Sequence, residues 1–113
     1  MRDDPAWSLS AHEKRNAELA ALIRKKGASL DEPRVIECHF WAPSQNSADQ
    51  LAVALQTKGF VKLRVNPTEQ DRWNVEMAIT QSVNRTVSVG FTSDLVETAA
   101  MFDGSFDGWG TCL

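Results

Sequence analysis

An α+β sandwich of the ferredoxin-like type is the fold class this sequence predicts: βαββαβ, with both helices on one face of an antiparallel sheet and one further helix in front. Three observations lead there. The stretches "RVIECHFW" and "RWNVEMAIT" alternate apolar and polar residues with the period of a half-buried strand. Apolar residues recur at helical spacing after the first stretch and again late in the chain. The last eleven residues, "DGSFDGWGTCL", hold three of the six glycines and two aromatic rings, where one more strand would complete the sheet.

The chain has 113 residues, the size of one ordinary domain able to bury a single core. We expect one globular unit, with residues 1–33 as N-terminal helix and linker and 34–113 as the ferredoxin-like domain. The charged share of 24% and hydrophobic share of 42% exclude wholesale disorder and fibrous repeats.

Taken in order, "SAHE" from Ser10 to Glu13 has the spacing of a capping box, and Leu19, Leu22 and Ile23 share a helical face before Gly27. That predicts a helix from Ala11 to Lys26, packed as an accessory element against the outside of the domain. Arg34 to Trp41 reads as the first strand, with Ile36, Cys38 and Phe40 on one face and Glu37, His39 and Trp41 on the other. Ser44 or Ser47 caps the next helix, whose stripe is Ala48, Leu51, Ala52 and Leu55 and whose end is Gly59. "FVKLRV" predicts a strand with Val61, Leu63 and Val65 inward, and "NPTEQD" a turn. The strand after it places Trp73, Val75, Met77 and Ile79 inward and Asn74, Glu76 and Ala78 outward. The path of Gln81 to Gly90 is open between strand, loop and helix. Phe91, Leu95, Ala99 and Phe102 then share a face, predicting a helix from Thr92 to Phe102 that stops near Gly104. Phe106 to Cys112 supplies the final strand.

Composition narrows the function. No apolar run approaches a bilayer span, and the opening "MRDDPAWSLS" lacks the basic and apolar regions of a secretory leader, so a cytoplasmic protein is expected. Cys38 and Cys112 are too few for a disulfide framework or a metal knuckle. The net charge of −3 is uneven: from Thr86 onward there are four acids, Asp94, Glu97, Asp103 and Asp107, and no lysine or arginine. Such a segment repels nucleic-acid backbone and suits a basic partner, or is an ordinary solvated face.

"FDGWGT", Phe106 to Thr111, resembles the end of the RraB family, the regulators of ribonuclease E activity B, whose domain typically closes on Tyr-Asp-Gly-Trp-Gly; Phe106 stands at the tyrosine position. The resemblance extends to the capped helix, "LDEPRVIECHF" before the first strand, and the helix ending in "KGF". It implies a ferredoxin-like domain that acts by binding protein, the best known member binding and inhibiting the endoribonuclease ribonuclease E. No cofactor and no membrane are implied.

Individual residues carry two readings each. Trp109, between Gly108 and Gly110, is either an anchor locking the last strand or a partner-facing ring. Asp107 either accepts amides within a turn or meets a basic partner, and Phe106 belongs to the same motif. His39 and Trp41 lie on the sheet face opposite the core, with Glu37, Lys62, Arg64, Asn74 and Glu76, a surface for a protein partner or a second copy of the chain. Gly104, Gly108 and Gly110 are structural. Direct RNA binding is not expected, since "RWNVEMAI" lacks the basic-aromatic signature of RNA-recognition motifs. Nor is catalysis: there is no phosphate loop, metal spacing or nucleophile elbow, and the adjacent Cys38 and His39 point to opposite faces of a strand.

Overall fold

A computed structural model describes residues 9–68 and 70–112. Residues 1–8 of the opening segment read for the absence of a leader, together with Glu69 in the predicted turn, lie outside these. Eight elements follow one another: α1 (Leu9–Lys25), β1 (Arg34–Ala42), α2 (Gln45–Thr57), β2 (Val61–Pro67), β3 (Trp73–Gln81), α3 (Val83–Thr86), α4 (Val89–Ala100) and β4 (Ser105–Thr111). The four strands form one antiparallel sheet in the order β2-β3-β1-β4. This is the predicted ferredoxin-like α+β arrangement, with α1 in front.

Alternation in β1 decides what is inside. Ile36, Cys38, Phe40 and Ala42 are buried while Val35, Glu37, His39 and Trp41 face away, and β3 presents Val75 and Met77 to the same core. Helix α2 covers that face with Ala48, Leu51, Ala52 and Leu55, and α4 adds Leu95 and Ala99. The opposite sheet face has no helix over it among the described elements.

All three long helices end on the same hydrogen-bond pattern, in which the residue leaving the helix turns left-handed and the next amide reaches back five residues. Gly27 (φ 80°) and Gly59 (φ 100°) do this for α1 and α2, with Ala28 N–H donating to Ile23 O at 3.2 Å and Phe60 N–H to Leu55 O at 3.1 Å. At the end of α4 the left-handed residue is Asp103 (φ 62°), and Gly104 N–H donates to Ala99 O at 2.9 Å. Aspartate is one of the few residues other than glycine that enter this conformation at modest cost. Glycine is required one position later, where a Cβ on Gly104 would collide with the carbonyl oxygen of Trp41.

The structure departs from expectation at the start of α1, in β2 and at the start of α4, and it decides two points that the sequence leaves open. Helix α1 already contains Leu9 and Ser10, so it begins before the expected Ala11. In β2 the expected inward face of Val61, Leu63 and Val65 is broken: a bulge at Leu63 shifts the register so that Val61 pairs with Ala78 on the outer face and Lys62 with inward Met77. Only Val65 is half-buried, and β2 is the sheet's edge strand. Gln81 to Gly90 resolves into the end of β3 and two serine-capped starts: Ser82 Oγ accepts from Arg85 N–H at 3.1 Å and Ser88 Oγ from Phe91 N–H at 3.3 Å. Helix α4 therefore runs from Val89 to Ala100, three residues earlier at its start than the apolar stripe alone indicates. Ser44, of the two candidates, caps α2.

The glycines separate cleanly by environment. Gly104→Ala forces a methyl into a backbone oxygen and should cost roughly 1–3 kcal/mol, whereas Gly110, which has open space around it, should change by less than about 0.5 kcal/mol on the same substitution. Urea midpoints of the two variants compare them directly, and a wild-type midpoint for Gly104→Ala would contradict the close approach.

Candidate functional site

The motif "FDGWG" forms the middle of β4, and its geometry turns on one extra residue. Phe106 pairs with Phe40 and Trp109 with Cys38, but only His39 lies between those two partners on β1, against Asp107 and Gly108 on β4. Residues three apart in a regular strand point to opposite faces. The bulge, with Gly108 at φ 125°, turns both rings to the core side. Phe106 then packs on Phe40 with ring centroids 5.2 Å apart.

Helix α1 closes over these two rings. Asn16 is buried and receives the Trp109 indole N–H on Oδ1 at 2.7 Å, while its own amide donates to Thr92 Oγ1 on α4 at 3.0 Å. The relay joins the first helix, the last helix and the last strand through groups removed from water, where a missing partner is expensive. One turn earlier His12 stacks on Phe106 at 4.8 Å and 21°. Arg15 drapes over Gly108 and donates from Nη1 to the Asp107 carbonyl at 3.1 Å. A side chain at residue 108 would press into that guanidinium.

Burial, the largest influence, holds the His12 pKa below its ordinary 6.5; a hydrogen bond with the Phe106 backbone opposes it, and the charges of Arg15 and Asp107 act downward and upward respectively. Its Nε2 is buried without a hydrogen-bond partner. The Cys38 thiol, also buried, is pushed up to about 12, so it stays protonated and unreactive.

The helix-free sheet face carries the other residues singled out from sequence. His39 and Trp41 are half-buried there. Across the strands stand Glu76, which takes Arg64 Nε at 3.5 Å and Asn74 Nδ2 at 2.9 Å, and Ala78, flanked by exposed Val61. At the end of this face the Arg72 guanidinium lies 5.0 Å from the Trp41 ring centroid. Among the described residues no three His, Cys, Asp or Glu side chains are grouped to hold a metal ion, and no helix is long and apolar enough to cross a membrane.

Residues 13–111 match the family model described as regulator of ribonuclease activity B, RraB, from within α1 to the end of β4. The chain belongs to the RraB family. A search of curated proteins finds no match.

Within this RraB domain the residues singled out from sequence fall into two groups. Phe106 and Trp109 are buried and fastened by α1, and the Asp107 carbonyl is held by Arg15. His39 and Trp41 remain reachable from solvent. The sequence reading of α1 missed His12 and Asn16, although both continue the stripe of Leu19 and Ile23 at four- and three-residue steps. Their polarity hid them, because a stripe is found by looking for apolar residues.

Two outcomes follow from the α1–β4 junction. Trp109→Phe keeps most of the ring but strands Asn16 Oδ1, an expected loss of about 1–3 kcal/mol; Trp109→Ala should lose roughly 3–5 kcal/mol. In both, amide exchange in α1 should rise more than in α2, and equal protection in the two helices would sink the docking role. The second outcome concerns pH. Because the folded-state pKa of His12 is lowered, the unfolded chain takes up the proton first; stability is complete above about pH 6.5 and falls as the pH drops toward the folded pKa. Denaturation midpoints measured across this window should slope less in His12→Phe than in wild type, and identical slopes would remove His12 as the source.

Proposed function

We propose that this chain is a cytoplasmic regulator that works by binding a protein, and that its partner is ribonuclease E. The match of residues 13–111 to the RraB family carries the reading. The site chemistry agrees with it. Cys38 is a protonated thiol inside the core, and His39, its neighbour, projects from the other side of the sheet. A nucleophile and base on opposite faces cannot exchange a proton. The segment from Thr86 onward has no cation to meet a phosphate backbone, which supports influence on RNA turnover through the nuclease and not through the RNA.

The binding surface we assign is the helix-free sheet face with its end at Trp41. Phe106, Asp107 and Trp109, with Gly104 and Gly108, act in this reading as the frame that sets β4 beside β1 and so fixes where His39 and Trp41 stand. A second copy of the chain is the other reading of the same face, favoured by Val35 and Val61, which are 54% and 64% exposed beside Ala78.

Adding the purified chain to ribonuclease E from its own host should slow cleavage of a substrate RNA and give a measurable association by calorimetry. Unchanged cleavage with no heat of binding would end the ribonuclease reading. Light scattering of the chain alone then decides for or against the second copy.

A further inference from the structure

A cavity of about 440 Å³ opens where the end of β1, the β2–β3 loop and the end of α4 meet. Its lining includes the buried Ala42 and Phe106, together with Val96, Ala100 and Trp41. Three charged residues complete the lining: Asp71, Arg72 and Asp103. The single cation is already engaged, its guanidinium over Trp41 and its Nη2 donating to Gln70 Oε1 at 2.8 Å. Among the described residues neither aspartate side chain has an ion pair or hydrogen bond. Both are exposed.

A depression lined by apolar side chains and by two unpaired carboxylates against a single cation suits a side chain with a hydrocarbon stem that ends in a cation. We propose that this cavity receives an arginine side chain from a basic segment of the partner protein, the stem on Ala42, Val96, Ala100 and Phe106 and the guanidinium at Asp71 and Asp103. Arginine fits better than lysine because its planar fork can meet carboxylates with paired N–H donors, is less strongly hydrated, and packs beside aromatic rings and other guanidinium planes. Nucleic acid is disfavoured by the same carboxylates. The proposal rests on the reading of the chain as a protein-binding regulator and gives that reading a chemical specificity.

The test uses the whole chain, isotope-labelled, titrated with a capped pentapeptide Ala-Ala-Arg-Ala-Ala and with its citrulline counterpart, which keeps the shape and removes the charge. The arginine peptide should shift the Trp41 indole N–H and the amides of Asp71, Asp103 and Gly104 at millimolar concentration; the citrulline peptide should not. In Asp71→Asn/Asp103→Asn, where asparagine keeps the left-handed backbone accessible, affinity for both the peptide and ribonuclease E should fall by roughly tenfold or more, the scale of a lost charge-assisted hydrogen bond. Equal shifts from both peptides, shifts centred elsewhere, or none at all would overturn the cavity assignment. So would undiminished ribonuclease binding by the double variant, and the regulator reading would then survive. If wild type fails to bind ribonuclease E but still seats the arginine peptide as described, the partner is wrong and the cavity stands.

Discussion

One additional residue in β4 governs how this protein is closed. Had β4 run in regular register opposite β1, Phe106 and Trp109 would stand on opposite sides of the sheet, one in the core and one in water. The bulge at Asp107 and Gly108 puts both rings on the helix side. Everything α1 does follows from that: His12 has a ring to stack on, Asn16 has an indole N–H to accept, and Arg15 finds an exposed carbonyl above a residue with no side chain. The glycine in the motif serves three ends at once, its positive φ, its part in the bulge and the space left for the guanidinium.

The sheet therefore has two unlike faces. On one, apolar residues from β1, β3, α2 and α4 make a dry core into which α1 brings polar groups, each of them answered except His12 Nε2. On the other, charges pair across strands in water, where such pairs contribute little to stability. A side chain free of structural duty can be given to recognition, and that condition is met at Trp41 and its surroundings more than at Trp109, whose ring and N–H are both used inside.

Much of the fold was legible because β1, α2 and β3 obey simple periods: every second residue of β1 is buried, and Ala48, Leu51, Ala52 and Leu55 repeat at helical spacing. The final strand was legible from the count of elements and from "FDGWG". What escaped has common physical causes. A bulge adds a residue without any change in residue type, so Leu63 in β2 looked inward and the facing of Trp109 was undecided. Buried polar residues imitate surface ones, so His12 and Asn16 passed unseen. Helix starts set by one serine each, Ser82 and Ser88, are separated by too few residues for periodicity to register. The cavity beside Trp41 draws on β1, a loop, α4 and β4 together, a juxtaposition that exists only in three dimensions.

The relay from Trp109 to Asn16 spans 93 residues of chain. Contacts this distant are slow to form, because the intervening loop must be closed before they contribute. Synthesis imposes an order on top of this. While the chain emerges from the ribosome, β1 can pair with β3 on one side, yet its other edge stays bare and α1 has no rings to cover until β4 has been made. A nascent molecule thus exposes a central strand edge and the faces of Phe40 and Cys38 until β4 has been made, and the short glycine-rich strand that ends this delay acts as the latch of the folding process as well as part of the finished sheet.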